Sequence, residues 1–244
     1  MTLLGGAAVR ADVQAPIAPT VVTAAADADG FYRDREDASS ATTAERIWAE
    51  RLVANARDFD AAWKLARARY WLGTNGPGSA DEKKRQLERG IEAGRVAMTA
   101  RPESPEGHFW MAANMGALAD AFGLRQGIKY RTPIRTALEA ALKAQPSYLD
   151  GSPDRALGRW YFKVPRLFGG DLKQSEAHLR TALTYKADSV LTLLFLGETL
   201  IELDKRADAR ATLQAAIDVP ADPNWLPEDR RFKAQARQLL ATLK

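Results

Sequence analysis

Apolar side chains recur at intervals of three to four residues from about Thr42 onward. This spacing predicts amphipathic helices, and no segment alternates with the two-residue period of a β-strand. The pattern predicts ten helices, at residues 42–56, 59–73, 79–101, 105–122, 126–144, 153–163, 171–186, 189–203, 205–218 and 227–243. The predicted fold class is therefore all-α.

Side chains that cap helices precede several of these segments. Thr42-x-x-Glu45 and Ser79-x-x-Glu82 match the capping box, in which a hydroxyl and a carboxylate bind each other's backbone N–H groups. Asp171, after Gly169-Gly170, is expected to cap another helix. The two glycines could instead form an anion-binding nest. We favour a turn, because the Asp171 carboxylate would repel the anion.

The helices come in pairs that share a frame of small and large residues. The last pair fits a repeat of about 34 residues, in which the small Gly197 lets the second helix lie close to the first. Three earlier pairs fit with extra residues, mostly between their two helices. The equivalent alanines are Ala97, Ala141, Ala182 and Ala216. The sequence therefore predicts about four divergent α-α hairpins, with helices 42–56 and 227–243 capping the two ends.

The first 38 residues differ in character from the rest. Residues 1–38 are interpreted as a disordered leader and 39–244 as the helical domain, because Pro16, Pro19 and a run of alanine, aspartate and glycine precede the first strong helical pattern. Val9-Arg10-Ala11 resembles the pattern before a signal-peptidase cut, although no basic segment precedes it. The leader is therefore either a remnant of an export signal or an ordinary terminus.

Composition excludes several classes of function. The sequence has 244 residues, of which 46% are hydrophobic, which is enough for a substantial core. The net charge of +4 is spread along the helices, so no concentrated basic stripe for nucleic acid is expected. Cysteine is absent, which removes disulfides, thiolate metal sites, cysteine nucleophiles and cysteine-linked lipid anchors. The longest apolar stretch is too short to span a bilayer.

No catalytic or cofactor motif is present in the sequence. His108 and His178 are the only histidines and fall on different predicted hairpins, so we predict no metal site. The phosphate-loop, nucleophile-elbow and His-Glu-x-x-His patterns are missing. We therefore expect no cofactor and no enzymatic activity.

A basic ridge is the most distinctive candidate site. Arg155, Arg159, Lys163 and Arg166 fall on one face of the helix predicted at 153–163 and beyond it. In the repeat frame this face belongs to a concave groove. The predicted groove residues are Lys64, Trp71, His108, Met111, Met115, Arg155, Arg159, Phe162, Lys163 and Glu198.

Basic, aromatic and methionine side chains together suit an acidic ligand or an acidic peptide. The alternative is that Arg155 and Arg159 pair with structural carboxylates such as Asp154 or Glu198, while Trp160 belongs to the core. Trp48, Trp63, Trp110 and Trp225 are expected to pack inside the hairpins.

The repeat frame over residues 42–218 resembles that of tetratricopeptide-repeat (TPR) proteins. Segments in the middle of the chain resemble the T-component-like proteins of bacterial TRAP transporters and, more distantly, the regulator of microtubule dynamics group. These segments are Gly107-His-Phe-Trp110, Leu142-x-x-Gln-Pro146-x-Tyr148, Arg155-Ala-Leu-Gly158-Arg-Trp-Tyr161 and Gly169-Gly170-Asp171.

The T-component resemblance implies an exported, periplasmic homo-oligomer that helps a substrate-binding protein deliver a ligand to a transporter, with only indirect membrane contact. The chain lacks the cysteine that commonly anchors those proteins. A cytoplasmic location is the alternative.

The expected function is a non-catalytic scaffold whose concave groove holds a protein, a peptide or a small acidic ligand. A purely structural assembly protein without a ligand groove is the alternative.

Overall fold

The computed structural model describes residues 21–243, and their side chains from residue 27 onward. This part of the chain is helical, with no strand. The helices are α1 (Val21–Arg33), α2 (Ala38–Ala54), α3 (Phe59–Asn75), α4 (Ala80–Ala100), α5 (Pro105–Ala121), α6 (Leu124–Ala144), α7 (Ser152–Lys163), α8 (Leu172–Tyr185), α9 (Val190–Glu202), α10 (Arg206–Asp218) and α11 (Leu226–Thr242), with one 3-10 turn at Arg166–Phe168. No helix among residues 21–243 combines the length and the hydropathy that a bilayer-spanning segment requires.

All ten predicted helices are present, with small shifts at their ends. The Ser79–Glu82 capping box is confirmed. The capping box predicted at Thr42 is wrong, because α2 begins at Ala38 and the Asp37 carboxylate accepts the Ser40 N–H at 2.9 Å. Thr42 lies inside the helix, where its hydroxyl donates to the Ala38 carbonyl.

An additional helix, α1, lies within the predicted leader. Ala28 and Tyr32, four residues apart, form its buried stripe, and the Tyr32 ring packs 5.8 Å from the Trp48 ring of α2. Packing against α2 therefore stabilises a segment whose glycine and aspartates weaken its own helix propensity. The leader prediction does not hold for residues 21–38. Residues 1–20, with the suggested export signal, lie outside the described part.

Helices α3 to α10 form the four predicted hairpins. α3 packs on α4, α5 on α6, α7 on α8, and α9 on α10, and each hairpin packs on the next. The four equivalent alanines of the repeat frame are all fully buried. A Cβ on Gly197 would lie 2.5 Å from Leu213 of the facing helix, which is why the frame requires glycine there. The α-α hairpin solenoid is thus confirmed.

The last helix does more than cap the stack. α11 packs on α9 and α10 and also reaches the turn between α1 and α2. There Arg35, only 5% exposed, forms a bidentate ion pair with Glu228, with its shorter N–O distance at 2.6 Å, and donates to the Asn224 carbonyl at 2.9 Å. Arg231 of α11 also donates to the Asn75 side chain of α3. We call the contacts of Arg35 with Glu228 and Asn224 the clasp. The clasp joins the first and last described helices across the concave side.

Candidate binding cavity

A cavity of about 1100 Å³ lies on the concave side of the solenoid. Its wall is built by the first helices of the hairpins, α3, α5, α7 and α9, by the first half of α6, and by α11 on the opposite side. Small residues of α5, including Ala113, Gly116 and Ala117, line the wall and leave it open. Trp160 and Phe195 contribute aromatic surface. The cavity surface is therefore mainly apolar, but charged side chains of both signs also line it.

Arg155 is the most unusual of these charged groups. Its guanidinium donates to the Ser152 hydroxyl, and among the described residues no carboxylate lies within ion-pairing distance. Burial lowers the pKa of the Arg155 guanidinium to about 10, because little nearby charge compensates the positive form. A partly buried cation without a counter-ion favours an incoming anion, since pairing recovers part of the lost hydration.

Two further side chains of the ridge, those of Arg159 and Lys163, are paired with carboxylates. Arg159 forms an ion pair with Glu198, and its guanidinium also lies over the Phe195 ring at 4.3 Å. Lys163 is 3.7 Å from Asp120 of α5. The alternative of pairing with structural carboxylates therefore holds for Arg159 with Glu198, but not for Arg155. Trp160 is buried, as that alternative also stated, and it lines the cavity as well.

Four of the ten predicted groove residues line this cavity: Trp71, Arg155, Arg159 and Lys163. Glu198 and Phe162 lie beside Arg159, as its ion-pair and ring partners. Arg166, expected to extend the ridge, does not share its helix, because α7 ends at Lys163 and Arg166 lies in the following 3-10 turn.

The remaining predicted groove residues lie elsewhere. Lys64 is bound to Asp29 of α1 at 2.5 Å. Met115 is 3% exposed and belongs to the core. His108 and Met111 line a separate pocket of about 380 Å³ between α4, α5 and α6, and the His108 Nε2 atom is 2.8 Å from the Pro102 carbonyl oxygen. The repeat frame therefore did not identify the cavity-lining face at these positions.

Several lining residues were not predicted. Asp120, Arg131, Trp225 and Arg231 line the cavity, but none of them falls at a position of the repeat frame that marks the concave face. Trp225, expected inside a hairpin, is half-buried at the clasp, 5.9 Å from the Arg35 guanidinium. Residues of α11 enter the cavity only because α11 crosses to the α1–α2 turn. No sequence pattern in or near α11 predicts that it crosses to this turn.

The histidines and the glycine turn have structural roles. The Nδ1 atom of His178 is 2.7 Å from the Asp154 carboxylate, and its ring stacks on Tyr161. No cluster of three or more potential metal ligands exists between residues 21 and 243. Asp171 caps α8 by accepting the Lys173 and Gln174 N–H groups, and Gly169 adopts a left-handed conformation with φ of 101°. The interpretation as a turn and a cap is confirmed.

Comparison with known proteins identifies the family to which the chain belongs. The family model described as regulator of microtubule dynamics protein 1-3 matches residues 25–168, more than half of the sequence. The chain belongs to this family. The bovine (Bos taurus) regulator of microtubule dynamics protein 1 is 26% identical over 199 residues, which cover 75% of the chain and 61% of the bovine protein. The Caenorhabditis elegans protein of the same name is 24% identical, over 74% of the chain and 84% of that protein.

The fold has a clear structural neighbour. A thermophilic TPR protein of Thermus thermophilus aligns with a TM-score of 0.67 at 19% identity, covering 91% of the chain and all of the neighbour. This likeness confirms the TPR fold. Of the two finer resemblances, the one to the regulator of microtubule dynamics family is confirmed. The resemblance to T-component-like proteins stays a prediction, and the animal relatives give no support to periplasmic export.

Proposed function

We propose that this member of the family is a non-catalytic scaffold whose concave cavity binds an acidic segment of a partner protein. The observation that carries the proposal is Arg155, a partly buried cation that faces an apolar cavity without a carboxylate partner. Paired neighbours such as Arg159 already have their anions and need no ligand. The binding site is therefore centred on the Arg155 side of α7.

The size of the cavity favours an extended segment over a compact small molecule. Its volume of about 1100 Å³ exceeds the upper end of typical small-ligand pockets, about 1000 Å³. Aromatic rings at Trp160 and Phe195 supply apolar contact area in the same cavity as Arg155. A carboxylate of the segment would accept two hydrogen bonds from the Arg155 guanidinium, which fixes the orientation of the bound chain.

Tryptophan fluorescence provides a direct binding test, because Trp71, Trp160 and Trp225 line the cavity. The chain is titrated with peptides of equal length that are acidic, neutral or basic. Acidic peptides should bind best, and Arg155→Gln should weaken their binding by about tenfold or more, since a hydrogen bond to a charged group contributes about 1.5 to 3 kcal/mol. A small acidic ligand that binds equally well would replace the peptide as the occupant.

Matched variants separate binding from folding. Arg95→Gln removes an exposed arginine of α4 and should leave peptide affinity unchanged. Equal affinity of the Arg155→Gln and Arg95→Gln variants for acidic peptides would contradict the proposal, and would favour a structural assembly role. Native mass spectrometry of protein purified from its own host would test the accessory role in transport and homo-oligomer formation, by showing whether a substrate-binding protein or a second copy stays attached.

A further inference from the structure

Large apolar side chains project into solvent at one edge of the cavity. Leu124 and Ile128 of α6 are 77% and 60% exposed, and Leu167 and Phe168 of the 3-10 turn are 88% and 47% exposed. They are four of the seven large apolar side chains that are exposed among the described residues. Such a concentration differs from the single exposed apolar residues found on most protein surfaces.

The two segments are neighbours in space. The Arg131 guanidinium of α6 lies 5.3 Å from the centre of the Phe168 ring. Leu124 and Ile128 are four residues apart and therefore share a face of α6. Leu124, Ile128 and Phe168 line the cavity and are also exposed to solvent, so this edge is where the cavity opens. We call this edge the mouth.

Positive charge surrounds the apolar side chains at the mouth. Arg125, Lys129, Arg131 and Arg166 flank them, and within residues 27–243 none of these four pairs with a carboxylate. The sequence has no acidic residue between Asp120 and Glu139. The mouth is therefore a local basic region.

We propose that the mouth docks on the surface of an anionic phospholipid bilayer. Apolar side chains that protrude from a helix start and from a tight turn can enter the boundary between headgroups and acyl chains, while the flanking cations contact anionic headgroups. A protein partner would be better matched by a flat or grooved surface than by four separately protruding side chains. The sequence predicted only indirect membrane contact, because it did not show that residues 124–131 and 166–168 meet.

Vesicle co-sedimentation of the whole chain tests this docking. The chain should pellet with vesicles of phosphatidylcholine mixed with phosphatidylserine, but not with vesicles of phosphatidylcholine alone. Binding should weaken as salt is raised, since salt screens the attraction between exposed charges. Failure to pellet with the anionic vesicles at low salt would overturn the proposal, whether or not the chain binds a soluble acidic polypeptide such as polyglutamate.

Two pairs of substitutions divide the apolar and basic contributions. Lys129→Gln with Arg166→Gln should lower the partition onto anionic vesicles about thirtyfold, because each cation near such a surface contributes about 1 kcal/mol. Leu167→Ser with Phe168→Ser should lower it about tenfold or more, through the loss of buried apolar area. Both pairs change exposed side chains, so the helical circular dichroism should stay unchanged.

A matched control at a surface site away from the mouth completes the design. Val53, also 88% exposed, and the exposed Arg57 lie near the α2–α3 turn, so Val53→Ser with Arg57→Gln should bind vesicles as the unchanged chain does. Equal loss in the control and in the mouth variants would overturn the proposal. Arg155→Gln should also leave vesicle binding unchanged, so the membrane result and the peptide result are independent.

Discussion

Close contact between neighbouring hairpins depends on single glycines. At Gly107, near the start of α5, a Cβ would overlap backbone atoms of Met98 in α4. Backbone cannot rotate away as a side chain can, so α5 would have to move. At Gly116, in the same helix, a Cβ would meet nothing within 4 Å. The same residue type is therefore required by packing at one position and not at the other.

We predict opposite effects for alanine at these two positions. Gly107→Ala should lower the free energy of unfolding by about 2 kcal/mol, because overpacking forces the α4–α5 contact apart. Gly116→Ala should raise it by about 0.5 to 1 kcal/mol, because alanine favours the helix. Urea denaturation of the two variants measures both changes. Destabilisation of similar size in both would mean that the packing of α5 is not as described.

The basic ridge on α7 shows which features of a site can be predicted from single residues in the sequence. The helical spacing of Arg155, Arg159 and Lys163 was enough to place them on one face, and all three line the cavity. Which of them lacks a counter-ion depends on Glu198 and Asp120, carried by other helices. Pairing of this kind depends on distances between helices. The sequence therefore left open whether the arginines bind a ligand or pair with structural carboxylates.

At the scale of elements, a charge cluster fixes the loop before α11. The Lys186 ammonium, after α8, is 2.6 Å from the Asp222 carboxylate and 3.6 Å from that of Asp150. The hydrogen bond from Lys186 lowers the pKa of Asp222 and raises that of Lys186. The loop is therefore held by a contact that depends on ionisation of Asp222.

This contact predicts a pH-dependent contribution to stability. Because the folded-state pKa of Asp222 is lowered, its stabilisation is present above the ordinary aspartate pKa of about 4 and is lost as pH falls through the folded value. Asp222→Asn should lower the free energy of unfolding by about 1.5 kcal/mol near neutral pH. The difference in free energy of unfolding between the variant and the unchanged chain should shrink towards pH 3. Chemical denaturation at a series of pH values measures this difference. A difference that is constant with pH would contradict this role.

The helix boundaries illustrate what sequence captures at this scale. Ser79–Glu82 and Asp171 were identified correctly because a cap lies within three residues of the groups that it satisfies. α1 was missed because its stability comes from Ala28 and Tyr32 packing on α2. Local signals are weak in α1, and the decisive interaction is tertiary.

At the scale of the whole molecule, the clasp is the contact that joins the α1–α2 turn to α11. Arg35 and Glu228 are separated by 193 positions and are 5% and 14% exposed. Glu228→Gln should lower the free energy of unfolding by about 3 kcal/mol, because it leaves the buried Arg35 charge without its anion. Hydrogen exchange of α1 and α11 should accelerate together, which reports the loss of their mutual contact.

A nearby exposed pair serves as the control for the clasp. Glu36 and Arg230 are 3.4 Å apart and more than half exposed, so Glu36→Gln should change the free energy of unfolding by less than about 0.5 kcal/mol. Equal effects of Glu36→Gln and Glu228→Gln would show that burial does not strengthen the clasp.

The four hairpins were predictable because each one is local, whereas the clasp has no counterpart in the repeat frame.

The clasp also limits how such a protein can evolve. Open repeat arrays gain or lose units freely, because each unit contacts only its neighbours. Here the turn after α1 must meet α11, so duplicating or deleting one hairpin between them would shift Arg35 away from Glu228. Lineages that keep the clasp should therefore keep four hairpins between these helices, and vary instead in the lengths of the loops.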